Sequence, residues 1–298
     1  MTKPVSISLI LLTFNLAAFA ADPPPAAPAK PLTARQIVDR IKQNVKTPWL
    51  TTTVDTFKAG DPDTPVTGIV TTHLATLDVL QRAVTANKNF IISHEPVFYN
   101  HLDRTEPLGD DPVLAAKRAY IAKHGLIVFR FHDHWHRRMP DGIDQGVSAK
   151  LGWDAYRRAD EDSYFDIPAA SLKDLAATFK EKLGASVVRV VGKPDAKFTK
   201  VGMLPGAAGS ARHIKMLQRD DVEVLAIGES PEWETVEYVR DAITQGKPKA
   251  LILLGHANSE EPGMANCAIW LKTFIPEVPV DFLPAGDPFW SPTPETKK

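Results

Sequence analysis

The chain has 298 residues, 44% of them hydrophobic, so it can bury one large core or two modest ones. Its formal net charge of −1 excludes the basic field that nucleic-acid binding needs, and also an acidic tail. The single cysteine, Cys267, excludes an intramolecular disulfide and is expected to be a buried, inert thiol.

The first 20 residues are typical of a secretory signal peptide. An apolar run from Val5 to Phe19 follows a positively charged start, and Ala18-Phe19-Ala20 provides a cleavage site with small residues. The run is interrupted by Asn15 and is short for a membrane span, which favours a cleaved leader over an anchor. Residues 21–32 are rich in proline and alanine and are predicted to be an extended linker. We therefore expect an exported protein, periplasmic or secreted, that has no membrane attachment after the leader is removed.

Strand-like and helix-like segments alternate along residues 33–160, which is the pattern of an α/β sheet. In chain order the sequence predicts a helix at 33–44, a strand at 66–72, a helix at 75–87, a strand at 90–93, a helix at 111–124 and a strand at 126–131.

The alternation continues along residues 161–298. The predicted elements are a helix at 171–183, strands at 186–191 and 200–204, a helix from 212, a strand at 222–227, a helix at 231–244, a strand at 250–254, a helix at 264–274 and a strand at 278–283. We predict an α/β fold of two similar units, 33–160 and 161–298. Each unit is expected to have a mixed sheet flanked by helices, with a metal site in the cleft between the two units.

Three histidine-bearing segments each follow directly on an apolar, strand-like run. They are His94-Glu95 after 90–93, His132 to His136 after 126–131, and His256 with Glu260 after 250–254. In open α/β sheets, ligands and metals bind where the carboxyl ends of strands meet. Imidazoles and carboxylates delivered to such a place are what a divalent metal site needs. The sequence therefore predicts a metalloprotein, with two ions.

The second segment is the densest, with three of the nine histidines of the chain in five residues. If the strand continues through it, all three imidazoles share one face, and if the chain turns, any subset can bind. The alternative is a polar loop, but we expect at least one of His132, His134 and His136 to be a ligand. The other histidines have no motif support and are expected to be ordinary surface or core residues: His73, His101, His124 and His213.

His256 and Glu260 are four residues apart, so they share one face if they lie on a helix. A helix cap from Asn258 or its neighbour is compatible with that arrangement. Glu229 follows another predicted strand and is expected to support the site from outside. Residues 206–210, Gly-Ala-Ala-Gly-Ser, are expected to form a tight turn rather than an anion-binding loop.

Three phrases in register carry a resemblance to a known family. They are Ile-Ile-Ser-His94-Glu95-Pro-Val-Phe, His132-x-x-x-His136 followed by Asp141-Gly-Ile-Asp-Gln-Gly, and Gly255-His256-Ala-Asn-Ser-Glu260. Together they resemble the Nif-three-like family, and the resemblance covers residues 66–290. It implies a dinuclear metal centre and a ring-shaped hexamer, in a family often labelled type 2 GTP cyclohydrolase I.

The chain departs from the usual pattern of that family at two positions. The family usually has His-His-Pro and His-x-x-x-Asp, where this chain has His94-Glu95-Pro and His132-x-x-x-His136. An imidazole and a carboxylate have exchanged places, so the inventory of ligand types is unchanged. The resemblance implies that Glu95 and His136 hold one ion, that His94 and His256 hold the other, and that Glu260 bridges them. It leaves His132 as a nearby group that either transfers a proton or supports the ligands from outside.

Two divalent ions and two carboxylates would leave such a site with a net charge of about +2, which favours anionic substrates and acidifies water. Mixed nitrogen and oxygen donors suit zinc, manganese, iron or nickel better than calcium. A metal-dependent hydrolase acting on a phosphoester or nucleotide-like substrate is the first hypothesis. The alternatives are a non-catalytic metal-handling protein or ring-shaped scaffold, and a mononuclear hydrolase that uses only the segment from His132 to His136.

Overall fold

The computed structural model describes residues 31–159 and 161–292 of the chain. The predicted signal peptide, 1–20, and nearly all of the predicted linker lie outside the described residues, so export stays a prediction. No helix within the described residues is both long and apolar enough to cross a membrane. The domain boundary predicted near residue 160 also stays a prediction.

The first sheet has five strands, four of them parallel. Its spatial order is β1 (Phe57–Ala59), β4 (Ile127–Arg130), β3 (Phe90–Ser93), β2 (Ile69–Thr72) and β11 (Val280–Phe282). Only β1 is antiparallel to its neighbour. Every residue of β2, β3 and β4 is buried, which explains their continuous apolar runs, since parallel strands are covered on both faces. The last strand, β11, returns from the C-terminal part of the chain to pair with β2.

The second sheet has six strands, in the order β5 (Arg157–Arg158), β6 (Glu161–Ser171), β8 (Lys197–Leu204), β9 (Val224–Ile227), β10 (Ala250–Leu253) and β7 (Arg189–Val191). Strands β8, β9 and β10 are parallel, and the outer pairings are antiparallel, so this sheet is mixed as predicted. The sequence predicted no strand at the positions of β1, β5 and β6. Strand β6 is polar along much of its length and contains Pro168, and its register shifts between Asp166 and Ala170, so no regular alternation marks it.

Nine α-helices connect these strands within the described residues: α1 (Ala34–Asn44), α2 (Leu77–Thr85), α3 (Pro112–Lys123), α4 (Asp133–Arg137), α5 (Gly142–Leu151), α6 (Leu172–Leu183), α7 (Ser210–Leu217), α8 (Glu237–Thr244) and α9 (His256–Lys272). The helix predicted at 264–274 begins earlier, at His256, because Pro262 is accommodated inside it rather than preceding its first turn. His256 and Glu260 therefore do lie on one helix.

Alternate residues of each sheet face different hydrophobic clusters, as the two-residue period of a strand requires. In the first sheet, Phe90 and Phe129 face inward and Ile91 faces a separate cluster under α2 and α3. In the second sheet, Val224 faces inward and Leu225 faces a cluster under α7 and α8. The inward faces of both sheets belong to one continuous core, together with side chains of α1, α5, α6 and α9.

Helices α5 and α9 pack against each other through glycines. A Cβ atom at Gly146 would lie 2.6 Å from the Cα of Gly263, and a Cβ atom at Gly263 would lie 2.6 Å from the Cα of Ile143. Side chains at these positions would push the helix backbones apart. This close approach affects the candidate site because α9 begins with His256 and carries Glu260. Helix α5 begins directly after Asp141, whose carboxylate contacts the ring of His136.

Replacing Gly146 by alanine tests this packing. Helix propensity alone predicts a gain of about 1 kcal/mol in the free energy of unfolding, whereas overpacking predicts a loss of about 1–3 kcal/mol. We expect Gly146→Ala to lower the stability measured by urea denaturation. Ala149→Gly, at an exposed position of the same helix, is the control that measures propensity alone. A Gly146→Ala protein more stable than the parent would contradict the close packing.

Candidate metal centre

The carboxyl ends of four strands, three in the first sheet and one in the second, lie close together. His73 follows β2 directly, His94 follows β3, and His132 comes two residues after β4. These three strands are parallel neighbours, so their carboxyl ends meet at one edge of the first sheet. His256, which follows β10 of the second sheet, lies with its ring centroid 5.4 Å from that of His73. The cluster is therefore assembled from both halves of the chain.

The donor atoms of this cluster fall into two groups, and within each group they lie within 4.8 Å of one another. The groups are His94, His132 and His136, and His73, Glu95, His256 and Glu260.

The carboxylate of Glu260 joins the two groups. Its Oε2 atom lies 3.1 Å from Nε2 of His73 and 3.0 Å from Nε2 of His256. The same atom lies 3.5 Å from Nε2 of His94, and Oε1 lies 3.8 Å from Nε2 of His136. Glu260 is 3% exposed, so this carboxylate meets imidazoles on nearly every side and little water.

The five ligands predicted from the sequence lie together in this cluster, and so does His132. The division between groups differs from the one that the resemblance implied, because Glu95 groups with His256 rather than with His136. The sequence reasoning missed His73, which was expected to be an ordinary histidine. The signal was present, because His73 follows an apolar strand in the same way as His94 does.

The other histidines lie outside the two groups. The ring centroid of His101 is 6.3 Å from that of His132. His124 packs on Tyr120, and His213 is buried with its Nδ1 against Thr235.

Four histidines hold their Nδ1 atoms against an acceptor outside the cluster. The Nδ1···O distances are 3.2 Å from His94 to the carbonyl of Phe131, 3.0 Å from His132 to Asp133, 2.9 Å from His136 to Asp141 and 3.2 Å from His256 to Glu229. An acceptor at Nδ1 keeps a ring proton on that nitrogen and so fixes the tautomer. The lone pair of Nε2 is then available to a metal ion, which is how protein metal sites orient their imidazoles. Glu229 thus supports the site from outside, as its position after a strand predicted.

The Nε2 atom of His94 provides a test of whether a metal ion fits here. His94 is fully buried, and this nitrogen has no hydrogen-bond partner among the described residues. A buried polar atom without a partner is costly, and most such atoms in proteins are satisfied. With Nδ1 donating to a carbonyl, Nε2 carries an unshared lone pair that points at the other donors. A divalent cation would satisfy it, and the nitrogen and oxygen donors around it suit a transition metal.

Burial and charge set the protonation of the metal-free cluster. Burial lowers the pKa of His94 well below its ordinary value, so this imidazole is neutral. Burial acts to raise the pKa of Glu95, but His256 together with His94 and His132 outweighs it and the pKa falls to about 2. Burial likewise opposes the low pKa of Glu260, which the surrounding imidazoles hold well below its usual range.

Two imidazoles of the cluster have raised pKa values. Burial acts to lower the pKa of His256, but hydrogen bonds with Glu260 and Glu95 outweigh it and raise the pKa to about 11. In the same way, burial of His136 is outweighed by the hydrogen bond and charge of Asp141 together with the charge of Glu260, and its pKa rises to about 9. At neutral pH and without metal, Glu95 and Glu260 are therefore ionised, and His136 and His256 are protonated. The protons on His136 and His256 would therefore compete with metal cations for the ring nitrogens.

Asp55 fixes the start of α4, which presents His132 and His136 to the cluster. Its buried carboxylate accepts the backbone N–H groups of His132 at 2.7 Å, Asp133 at 3.0 Å and His134 at 2.9 Å. It also accepts the ring Nδ1–H of His134 at 2.6 Å. A carboxylate at a helix N-terminus satisfies donors that the helix itself cannot.

His134 faces away from the cluster and is not a candidate ligand. Its Nε2 atom accepts the backbone N–H of Leu50 at 2.9 Å, and its ring stacks on Trp49 at a centroid distance of 3.6 Å. Among the three histidines of this segment, His132 and His136 are therefore the ones that the helix turns towards the other donors.

Gly206 allows the turn after β8 to approach the cluster. Its φ angle is +63°, and a Cβ atom there would collide with the carboxylate of Glu260. The backbone N–H of Gly206 donates to Ser259 at 2.9 Å. The glycine-rich segment thus packs as a tight turn against α9.

Comparison with known proteins agrees with this architecture. The family model described as Duf34/NIF3 (NGG1p interacting factor 3) matches residues 30–288. A protein of Clostridium acetobutylicum named GTP cyclohydrolase 1 type 2 homolog is 24% identical, with 69% of this chain and 76% of that protein covered. The chain therefore belongs to the DUF34/NIF3 family, as the three sequence phrases predicted.

Solved structures share the fold at low sequence identity. The crystal structure of Staphylococcus aureus protein SA1388 is 18% identical with a TM-score of 0.69, over 88% of this chain and all (100%) of that one. The structure of a Bacillus cereus protein related to NIF3 is 14% identical with a TM-score of 0.68, over 89% and 100% of the two chains. These matches establish the fold of two similar α/β units.

Removing the carboxylate of Asp55 should loosen α4 and weaken metal binding. We expect Asp55→Ala to reduce zinc affinity by about 10–100-fold, the usual effect of losing a group that orients metal ligands. Asp55→Asn, which keeps one acceptor oxygen, should have a smaller effect. Competition with a chromophoric chelator measures both, and Asp220→Ala, at an exposed acid, is the control. Unchanged affinity in Asp55→Ala would show that α4 is held without this carboxylate.

Metal binding should release protons, because His136 and His256 are protonated below the pKa values of about 9 and about 11. Raising the pH removes these competing protons, so affinity should increase as pH rises from 6 to 8, about tenfold per pH unit for each proton displaced. Calorimetry in buffers of different ionisation enthalpy counts the protons.

Asp141→Asn provides the matched variant. It removes the charge that holds the proton on His136 while its side-chain oxygen can still cap α5. We expect proton release at pH 7 to fall from about two per chain towards one. Binding without net proton release in the parent protein would contradict the raised pKa values.

Proposed function

We propose that this protein is a metal-dependent hydrolase with a dinuclear centre, acting on an anionic substrate of the phosphoester or nucleotide-like class. The observation that supports the proposal most directly is the position of Glu260. Its carboxylate lies within 4 Å of imidazoles from both donor groups, which is the arrangement that a bridging ligand requires. The name of the Clostridium acetobutylicum relative is consistent with a nucleotide-like substrate, but that name belongs to the relative.

The charges of the cluster favour an anion. Two divalent ions would bring four positive charges, and Glu95 and Glu260 bring two negative charges, which leaves a net charge of about +2. When bound, such ions would supply Lewis acidity, both for the activation of water and for the departure of the leaving group. Zinc, manganese, iron and nickel all suit the nitrogen and oxygen donors.

The side chains of the protein would hold the ions and accept the proton. Glu260 is proposed to bridge the two positions, with His94, Glu95, His136 and His256 as ligands and His73 beside them. His132 is proposed to accept a proton at Nε2. Its Nδ1 atom is held by Asp133, whose carboxylate in turn accepts hydrogen bonds from Thr53 at 2.7 Å and from the backbone of Val54 at 3.1 Å.

Asp133 is suited to this supporting role because it stays ionised. Burial acts to raise its pKa, but the hydrogen bonds from Thr53 and His132 outweigh burial and the pKa falls to about 2. A fixed anion at Nδ1 stabilises the imidazolium that forms when Nε2 takes up a proton. His132 is also partly exposed, so that proton can pass on to solvent.

Metal content and turnover together test the proposal. The protein is loaded with zinc, manganese, iron or nickel, the bound ions are counted by elemental analysis, and hydrolysis of phosphomonoesters, phosphodiesters and cyclic nucleotides is measured. We expect two ions per chain in the parent and fewer in Glu260→Gln, with turnover lost. Glu234→Gln, at an exposed acid, should match the parent.

Other results would replace the proposal. Two ions without turnover on any substrate would support a metal-handling protein or scaffold. One ion per chain would support a mononuclear site. Native mass spectrometry of the loaded protein would at the same time test the proposed hexamer, and fractionation of the producing cells would test the proposed export.

His132→Gln separates a proton acceptor from a ligand. We expect both ions to remain bound while the turnover number falls by about 10²–10⁴-fold, the usual contribution of a general acid or base. Loss of one ion from His132→Gln would instead assign this imidazole to the coordination of the metal, together with His94 and His136.

A further inference from the structure

A large cavity adjoins the second donor group. It has a volume of about 1000 Å³, at the upper end for a small-molecule site, and His73, Glu95 and His256 form part of its wall. It is far larger than the donor cluster needs for ions and water alone. The cavity therefore has room for the body of a substrate whose reacting group lies at the metal centre.

Three exposed aromatic side chains line the same cavity. Tyr99 is 58% exposed, Phe289 is 67% exposed and Trp290 is 78% exposed. Single exposed aromatic residues are common, but three on the wall of one cavity beside a candidate catalytic centre are a surface suited to a flat, apolar ligand. Packing the ring of a ligand against exposed aromatic rings of this kind lowers the free energy.

The charged side chains of the cavity wall, its histidines aside, include both signs. Lys117 and Arg189 are cationic and Glu229 is anionic, while the charge of Glu95 is already counted with the proposed metal centre. The ions of that centre would make this end of the cavity positive. The metal end of the cavity would then attract an anionic group, while the aromatic wall would favour an apolar body.

The segment that carries Phe289 and Trp290 is fastened to the helix of the metal centre. The carboxylate of Asp287 accepts hydrogen bonds from the side chain of Asn258 at 3.1 Å and from Ser186 at 2.8 Å. Glu261 accepts the backbone N–H of Gly286 at 3.0 Å. Asn258 and Glu261 lie on α9 beside His256 and Glu260, so these contacts hold the segment with Phe289 and Trp290 close to the donor cluster.

We propose that the cavity binds the aromatic body of an organic anion, with Tyr99, Phe289 and Trp290 contacting the ring system and the anionic group directed at the two donor groups. This inference rests on the proposed function, of which it names the substrate class: aryl phosphoesters rather than small alkyl ones.

Binding of phosphonates tests this class without any scissile bond. The probes are 1-naphthylphosphonate and methylphosphonate, titrated into the zinc-loaded protein by calorimetry. We expect the naphthyl compound to bind about tenfold more tightly, since one aromatic contact pair with its buried area contributes on that scale.

Matched tryptophan variants locate the contact. Trp290→Ala should lose most of the preference for the naphthyl compound, and Phe289→Ala part of it. Trp233→Ala is the control, because Trp233 is 77% exposed and does not line the cavity. Equal affinity for both phosphonates in the parent would overturn the proposal, and so would a preference that Trp290→Ala leaves intact or that Trp233→Ala abolishes.

Failure of the aromatic-site proposal can be distinguished from failure of the hydrolase proposal. A preference for the naphthyl compound that depends on Trp290, in a protein that hydrolyses no ester, would support the aromatic site and remove the hydrolase. Hydrolysis of aryl and alkyl phosphates with the same KM, together with equal phosphonate affinities, would remove the aromatic site and leave the hydrolase standing.

Discussion

The buried carboxylate of Glu260 is the interaction on which the candidate centre depends. An ionised acid in a nearly water-free place is unfavourable unless hydrogen bonds and opposite charge compensate for its lost hydration. Imidazoles from two sheets provide that compensation, and they can do so only while α9 holds its register against α5. The glycine contacts between these helices are therefore part of the site as much as the histidines are. A side chain at Gly146 or Gly263 would shift the acid away from the bases that stabilise it.

The exchange of residue types at Glu95 and His136 is supported by a local partner for each. The guanidinium of Arg130, which is fully buried, lies 3.4 Å from the carboxylate of Glu95 and also donates to the backbone carbonyl of His94 at 3.1 Å. Asp141 holds the imidazole of His136. Each of these two side chains thus meets a group of opposite charge.

Much of the fold and of the donor cluster could be predicted from the sequence, because the apolar runs of the strands and the residues at their ends are both local patterns. Strands β2, β3 and β4 were evident because burial on both faces favours apolar runs, with polar residues only towards their carboxyl ends. The rule that ligands gather at strand ends located His94, His132 and His256. The same rule applied to His73, which was overlooked because no sequence phrase contained it.

The remaining differences depend on tertiary contacts that no local pattern encodes. Strand β6 is held at its place by pairing with β8 despite a polar sequence. Helix α9 extends back through Pro262 because packing against α5 outweighs the hydrogen bond that the proline cannot form. The division of the donor atoms into two groups depends on how the two sheets approach each other. The spacing of residues along the sequence does not encode that arrangement. The aromatic wall was equally hidden, since Tyr99 and Trp290 are nearly two hundred residues apart.

The path of the chain after β11 separates the cavity wall from the donor atoms. The described stretch with Phe289 and Trp290 contacts α9 through a few polar groups, and none of its side chains belongs to the two donor groups. Its side chains can therefore change the shape and polarity of the cavity while the histidines and carboxylates stay as they are.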